Sequence, residues 1–306
     1  MDLQQLKQQY QQYILKINKD NEHGNNFIDL DLVYPKTNDI QILCEQLTDL
    51  KKCLDSFRPL NLAQLKNLKE FYEVHYTYES NRIEGNTLTL QETYLVLNKG
   101  MTIGGKPLQD HVEAVNHRNA FQYIQEIAQS ETDFSASVLL DIHDFILKNI
   151  DNHNAGKYRN VRVRISQSQH IPPNPLKVSD LMNRYFEQYE TQKNTVHPVI
   201  LAANMHERLV TIHPFIDGNG RTARLVMNLI LLKNGYPITN ISGENESRTT
   251  YYKALENVQM QKNLTAFQTY LLQECKTSLW NYIQLFADNL EAKKGRYFFE
   301  KVSSIF

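Results

Sequence analysis

Apolar residues recur every three to four positions along most of this 306-residue chain, which is the spacing of one face of an α-helix. Glycine and asparagine close several of these stretches. Gly85 and Gly235 suit the position just after a helix, and Thr89 and Glu92 form the pattern of a capping box that starts one. The spacing predicts helices over about 3–17, 38–55, 60–84, 108–129, 135–150, 198–212 and 221–233, with another beginning near 89.

One segment follows a different period. Residues 161–165, Val-Arg-Val-Arg-Ile, alternate apolar and cationic side chains, which is typical of a half-buried strand. The proline-rich stretch 171–175 that follows cannot continue a helix. The sequence therefore predicts a mainly α fold, a helical bundle that carries a small β-hairpin, which we call the flap.

Composition and charge narrow the function classes. Lys and Arg number 33 against 34 for Asp and Glu, so no global excess of charge steers the chain to nucleic acid or to an anionic membrane. The three cysteines, Cys44, Cys53 and Cys275, lack the spacing of a metal site or a disulfide framework. No run of about 18 apolar residues is long enough for a membrane span. We expect a cytoplasmic protein with reduced, buried cysteines.

Between two apolar helices the chain carries a cluster of polar residues, His-Pro-Phe-Ile-Asp-Gly-Asn-Gly-Arg-Thr-Ala-Arg, at 213–224. A glycine-containing turn that opens a helix directs free amide groups and the positive end of the helix dipole at an anion, and phosphate is the usual one. Arg221 and Arg224 lie three apart in the first helical turn and can clamp phosphate oxygens. The segment predicts a phosphate site.

Two further residues complete the chemistry of this segment. Asp217 can hold Mg²⁺, which prefers one or two carboxylates together with nucleotide phosphates. His213 can accept a proton from a hydroxyl, since a neutral imidazole is available near physiological pH. A base, a carboxylate, two glycines and two arginines within twelve residues indicate phosphoryl or nucleotidyl transfer.

This segment resembles the Fic family, whose motif HPFx(D/E)GNGRxxR it matches in full. The resemblance implies that His213 is the general base and that Asp217 holds Mg²⁺. In the family, a Ser, Thr or Tyr hydroxyl of a protein attacks the α-phosphorus of ATP and pyrophosphate leaves. It further implies that Arg221 holds the β-phosphate and Arg224 the γ-phosphate. The expected ATP-binding residues are Asp217, Gly218, Asn219, Gly220, Arg221, Thr222, Arg224 and Tyr251.

The resemblance extends to the surroundings of the motif. The flap residues Val163, Arg164 and Ile165 resemble the hairpin on which members of the family dock a target segment by main-chain pairing. Tyr251 resembles a residue of the helix that closes the adenine pocket. The implied organisation is an N-terminal helical region at 1–60, a Fic catalytic core at 61–275 and a C-terminal helical tail at 276–306.

An inhibitory motif of the family, (S/T)xxxE(G/N), is similar to residues 80–85. The resemblance implies that Ser80 and Glu84 belong to an inhibitory helix placed before the catalytic core. A carboxylate that pairs with Arg224 would occupy the place of the γ-phosphate, and a cationic partner would also suit a carboxylate at a helix C-terminus. We therefore predict an ion pair between Glu84 and Arg224 in the resting protein.

Several alternatives stay open at the level of the sequence. The same glutamate could orient water, so that the protein removes AMP from a modified target. The loop could bind ATP in a non-catalytic nucleotide-sensing scaffold, or the donor could be another phosphorylated molecule. The resemblance also allows a homodimer. Only 36 residues follow Tyr270, too few for the winged-helix module of many relatives, so nucleic acid is not an expected partner.

Overall fold

The computed structural model describes residues 34, 36–55, 62–165 and 168–287, and nearly all of the regular structure in them is helical. The α-helices are α1 (Ile40–Asp55), α2 (Leu62–Ile83), α3 (Leu90–Lys99), α4 (Leu108–Gln129), α5 (Ala136–Leu147), α6 (Val178–Gln192), α7 (Pro198–Ile212), α8 (Asn219–Lys233), α9 (Asn245–Gln261) and α10 (Leu264–Ala287). A single 3₁₀ turn, Pro175–Lys177, precedes α6. The predicted mainly α fold is confirmed.

Helix α8 lies at the centre of the bundle. It packs against α7, α4 and α5, while α10 packs against α1, α9 and α7. Every residue from 221 to 231 is buried, polar Arg224 and Asn228 as well as apolar Leu225 and Leu229, as expected for a helix enclosed by others. The helix ends at Asn234, and Gly235 adopts a positive φ of 76°, as its predicted place after the helix requires. Because α8 is enclosed, its N-terminus is a rigid platform.

Local sequence signals set several of the helix boundaries. The capping box of α3 is complete, because Thr89 Oγ1 accepts from the amide of Glu92 and the Glu92 carboxylate accepts from the amide of Thr89. Gly85 follows α2 with φ of 98°. The observed bounds of the helices predicted at 38–55, 108–129 and 198–212 agree with the prediction to within two residues.

The sequence pattern predicts no element over 178–192, where the structure has α6. Its buried positions, Val178, Met182, Tyr185 and Tyr189, follow helical spacing. Two of these four are tyrosines, whose hydroxyl groups weaken the apparent apolar stripe. Tyr189 donates its hydroxyl to Asp133 at 2.7 Å, so the polar end of that side chain finds a partner at the edge of the core.

The predicted strand at 161–165 is not formed, and no strand occurs among the residues that the structure describes. A strand needs a neighbour with which to exchange main-chain hydrogen bonds. No described residue bonds to the main chain of 162–164, and Ser166 and Gln167 lie outside the described residues. The flap is a loop without regular secondary structure instead.

The predicted domain boundary at 275 falls inside a helix, and the one at 60 lies outside the described residues. Helix α10 runs through 275, and Leu279 and Ile283 share one hydrophobic core with Leu47 and Leu50 of α1. The division at 60 and 275 stays a prediction. The helix predicted at 3–17 and the residues after 287 lie outside the described part of the chain.

Two expectations about the chain as a whole can be compared with the structure. Cys53 and Cys275 are buried, as expected, whereas Cys44 is only half-buried, and burial raises the pKa of Cys275 to about 12. Within the described ranges, no helix combines the length and the apolar character that crossing a bilayer would need.

Candidate functional site

His213 stands directly after α7, in an unusual backbone conformation. Its φ is 51°, in the left-handed region that costs energy for a residue with a β-carbon, and its amide donates to Leu209 O at 2.8 Å. Nδ1 lies 3.3 Å from Val210 O. Because a carbonyl only accepts, Nδ1 carries the proton, and Nε2 keeps its lone pair for the cavity that His213 lines.

The surroundings of His213 keep it neutral. Burial lowers its pKa to about 4, and the positive charge of nearby Arg159 acts in the same direction. The Val210 carbonyl and the Glu84 carboxylate oppose this shift without cancelling it. At physiological pH the ring is therefore a base with a free lone pair.

The loop between His213 and α8 is held by side chains below it. Asn219 Oδ1 accepts from the amide of Phe215, and Nδ2 donates to Phe215 O, both at 3.0 Å. His143 stacks on the Phe215 ring with centroids 3.6 Å apart. Its Nδ1 accepts from the amide of Gly156, so its Nε2 donates to Asp217 O. The loop is therefore fixed both at apolar Phe215 and at the main chain of Asp217.

The first turn of α8 forms an anion cradle. Gly218 precedes the helix with φ of 74°, and a β-carbon there would lie 3.0 Å from Ile146 Cγ2, so the turn requires glycine. The amide of Thr222 already bonds to Gly218 O at 2.9 Å. The amides of residues 219–221 have no carbonyl of their own helix to bond to, and they point out of the helix mouth.

The carboxylate of Glu84 lies in this cradle. Glu84 Oε1 is 2.7 Å from Arg224 Nη2, which confirms the predicted ion pair. A β-carbon at Gly220 would overlap with the same carboxylate oxygen, so Glu84 approaches the helix mouth closely because Gly220 has no side chain. An anion of the protein itself thus occupies a place suited to phosphate.

Arg224 is held on its other side by the helix that carries Glu84. The guanidinium is 1% exposed, with Nε donating to Ser80 Oγ at 3.0 Å and Nη2 to Ser80 O at 2.8 Å. Burial acts to raise the pKa of Glu84, but Arg224 and Arg221 outweigh it, so the pKa of this carboxyl falls below its ordinary value. A third of the Glu84 side chain remains exposed. The carboxylate is charged and reachable from solvent.

Arg221 is the second cation of the cradle and lies between two carboxylates. Its guanidinium is 3.3 Å from Glu113 and 3.5 Å from Asp217. Glu113 also accepts from Asn86 Nδ2 at 3.0 Å, just after the end of α2. Arg221 therefore links the phosphate cradle to the chain segment that follows Glu84.

Asp217 is the candidate metal ligand. Its side chain is 64% exposed, and Oδ1 accepts from the amide of Gly218 at 2.6 Å. No cluster of three or more His, Cys, Asp or Glu side chains occurs among the described residues. One exposed carboxylate beside a phosphate cradle fits Mg²⁺ carried in by a nucleotide, and it does not fit an ion held by protein ligands alone.

These groups open on one cavity of about 600 Å³, within the usual range for a small-molecule site. Its floor is the loop and first turn of α8, and α9 forms the opposite wall with Arg248, Tyr252 and Glu256. The flap contributes Arg164 and Ile165. The structure thus brings together most of the residues that the motif indicated.

Three predicted residues are placed differently. Thr222 is fully buried and does not line the cavity, and neither does Val163. Tyr251 lines the cavity but is 1% exposed, with its hydroxyl 3.1 Å from His206 Nε2. Its neighbour Tyr252 is 41% exposed and donates to Ile83 O, at the end of α2. Of the two tyrosines that line the cavity, Tyr252 is the more exposed to solvent.

Sequence reasoning missed three residues that support the site: His143, Glu113 and Arg159. Arg159 Nε donates to His213 O at 2.7 Å, and its amide donates to Pro214 O. Each acts through contacts with residues distant in the sequence.

Comparison with known proteins shows which family shares this sequence and fold. The model of the Fic/DOC family matches residues 133–231. Protein adenylyltransferase Fic of Drosophila grimshawi is 36% identical over 213 residues, 69% of this chain and 43% of that protein. The homologous protein of Aedes aegypti is 37% identical over 215 residues, 69% of this chain and 42% of that protein. The chain therefore spans less than half the length of these curated relatives.

Solved structures share the fold over a larger portion. Fic-1 of C. elegans, residues 134–508, has 30% sequence identity and a TM-score of 0.71, covering 80% of this chain and 72% of that one. A Fic domain containing signaling protein of Bacteroides thetaiotaomicron has 29% identity and a TM-score of 0.70, covering 81% of this chain and 97% of that one.

Proposed function

This chain belongs to the Fic/DOC family, and from that premise we propose that it is a protein adenylyltransferase whose resting form is held inactive by Glu84. The transfer would move AMP from ATP to a Ser, Thr or Tyr hydroxyl of a protein. The observation that carries the proposal is the position of His213, with Nδ1 bonded to Val210 O and Nε2 left free beside an anion cradle.

The chemistry follows from the geometry of the cradle. The hydroxyl oxygen bonds to the α-phosphorus, the bond from that phosphorus to the bridging oxygen breaks, and pyrophosphate leaves. His213 Nε2 takes the proton of the hydroxyl. The free amides of the first turn of α8, with Arg221 and Arg224, stabilise the charge on the phosphates.

Mg²⁺ belongs to this proposal as part of the nucleotide complex. Asp217 would bind it, and the ion would neutralise phosphate charge when bound. Asp217 now lies 3.5 Å from Arg221, so binding the metal would leave Glu113 and the nucleotide phosphate as the anionic partners of Arg221.

Autoinhibition is supported by the ion pair between Glu84 and Arg224. A γ-phosphate that pairs with Arg224 would meet the Glu84 carboxylate at 2.7 Å from the same guanidinium, and two anions repel there. ATP would then bind weakly or with its α-phosphorus out of line with the attacking hydroxyl. The observed pair is the state that this mechanism requires at rest.

Mass spectrometry of products tests the transfer. Glu84→Gly protein would be incubated with ATP, Mg²⁺ and candidate target proteins, and each intact protein weighed. We expect the added mass of one AMP moiety. This mass should be absent when His213→Asn is combined with Glu84→Gly. The added mass of a phosphate or of phosphocholine, or no added mass on any protein including the enzyme itself, would contradict the proposal.

Removal of AMP is a second candidate function, favoured by the exposed third of the Glu84 side chain. A charged carboxylate at the mouth of the cradle could orient a water molecule towards the α-phosphorus of a modified target. Incubating AMP-modified protein with the wild-type chain and measuring released AMP separates the two directions. Release that needs Glu84 would assign the removal activity. Homodimer formation and a cytoplasmic location stay predictions of the sequence.

A further inference from the structure

The flap, residues 157–165 and 168–173 of the described chain, is anchored beside His213 through the side chains of Arg159 and His170. Arg159 is 3% exposed, and its guanidinium donates to Val161 O at 2.9 Å and to Pro173 O at 2.7 Å, so it closes both ends of the loop. The same guanidinium donates to His213 O at 2.7 Å. His170 Nε2, on the far arm, lies 2.9 Å from Thr211 O. The loop is therefore held at a fixed place relative to His213.

Between these anchors, the flap has main-chain amides and carbonyls that form no hydrogen bond with the described residues. No described residue hydrogen-bonds to the backbone of residues 162–164. These residues lie in a loop outside any helix or strand, and the segment passes the rim of the cavity at Arg164 and Ile165. An extended segment with unpaired amides and carbonyls is a template for the addition of another strand.

The same segment carries unpaired positive charge. Arg162 and Arg164 are both exposed, stand two residues apart, and form no ion pair within the described part of the chain. Side chains two apart share one face of an extended segment. The formal net charge of the whole chain is −1, so this pair is a local departure from a nearly neutral surface.

We infer that the flap selects its target by charge, and that it binds an extended protein segment with acidic side chains at alternate positions near the acceptor hydroxyl. The inference rests on the proposed function and names its substrate class. Opposite charges facing each other across paired strands attract, and like charges repel. Arg162 and Arg164 set this preference, while main-chain pairing sets the register.

A protein segment fits this surface better than other anions. Nucleic acid and anionic bilayers bind through several cations spread along a surface, whereas the flap presents two. Val161 and Ile171, 49% and 61% exposed, add apolar surface beside the arginines. A peptide can satisfy apolar side chains, unpaired amides and two cations together.

Binding of charge-matched peptides tests the surface without requiring catalysis. Three peptides would share one central tyrosine and differ only at two alternate flanking positions, carrying Glu, Gln or Lys. Fluorescence anisotropy would measure their affinity for the Glu84→Gly protein, and labelled ATP would measure AMP transfer to each. Arg162→Glu is the test variant, because Arg162 does not line the cavity. Arg184→Glu, an exposed arginine of α6 without an ion pair in the described residues, is the matched control.

We expect the Glu peptide to bind about threefold to tenfold more tightly than the Lys peptide, since each exposed pair contributes modestly. Arg162→Glu should remove or reverse this preference, Arg184→Glu should keep it, and added salt should reduce it. Equal binding of the three peptides, or a preference that survives Arg162→Glu, overturns the inference. Charge-selective binding without AMP transfer would uphold the docking surface and contradict the transferase. AMP transfer without charge preference would uphold the transferase and contradict the docking surface.

Discussion

Glu84 and Arg224 form an ion pair of 2.7 Å across 140 residues of sequence, and it closes the mouth of the phosphate cradle. Glu84 stands just beyond the end of α2 and Arg224 in the first turns of α8. The pair joins a peripheral helix to the central one. Any change that weakens the packing of α2 should therefore weaken the contact of Glu84 with the cradle.

Glu84→Gly should increase transfer of AMP by about tenfold or more. The substitution removes the anion that competes with the γ-phosphate, and a free-energy gain of about 1.4 kcal/mol already gives a factor of ten. Incorporation of labelled adenine nucleotide into the enzyme or a target measures it. Glu84→Gln is the matched variant, because it keeps the shape and removes the charge, and we expect partial activation. An unchanged rate in both variants would remove the basis for autoinhibition.

His213 should act as a base over an unusually wide pH range. Burial lowers its pKa to about 4, so the fraction of neutral imidazole changes little between pH 8 and about pH 5. The kcat/KM of the Glu84→Gly protein should not fall near pH 6.5, where a free histidine titrates. Because the Glu84 charge acts to raise the pKa, its removal shifts the fall in activity further to acid. A rate that halves near pH 6.5 would contradict this assignment.

The lowered pKa of His213 also predicts that the free energy of unfolding depends on pH. The unfolded chain binds a proton at His213 below about pH 6.5, and the folded chain does so only below about 4. The stabilisation is fully present above pH 6.5 and is lost as the pH falls towards 4. Urea unfolding of the wild type and of His213→Asn should show a difference in free energy of unfolding that shrinks by roughly 3 kcal/mol over this window. Asparagine tolerates the left-handed backbone, which alanine does not.

Features set by residues close together in the sequence could be predicted, and features set by distant contacts could not. The capping box of Thr89 and the glycine ends of α2 and α8 lie within short windows and were predicted correctly. The twelve-residue motif, also local, indicated the correct family. The ion pair of Glu84 was reached only through a family resemblance. Glu113 and Arg159 take their roles from partners 108 and 54 residues away, and nothing within their own windows marks them. The strand at 161–165 has the right period but no partner strand.

The loop before α9 is a second support for the inhibitory position. Glu79 of α2 accepts from the amide of Gly243 at 2.6 Å, and Arg82 lies 3.7 Å from Glu244. The aliphatic stem of Arg82 packs directly on Gly243, where a β-carbon would lie 2.9 Å from Arg82 Cβ and 3.0 Å from its Cγ. Arg82 is two residues before Glu84. The lack of a side chain at residue 243 thus allows the last turn of α2 to sit where it places Glu84 in the cradle.

Gly243→Ala should therefore activate the wild-type protein severalfold. Gly243 does not have a positive φ, so alanine suits its backbone, and the new methyl group displaces the Arg82 stem and the turn that carries Glu84. The same labelled-nucleotide assay measures the rate. In the Glu84→Gly background the substitution should add nothing, because the two changes act on one contact. Gly104→Ala is the control, since a β-carbon there meets no atom within 4 Å. Equal activation in both backgrounds, or loss of activity in the wild type, would show that residue 243 acts on α9 and the nucleotide wall instead.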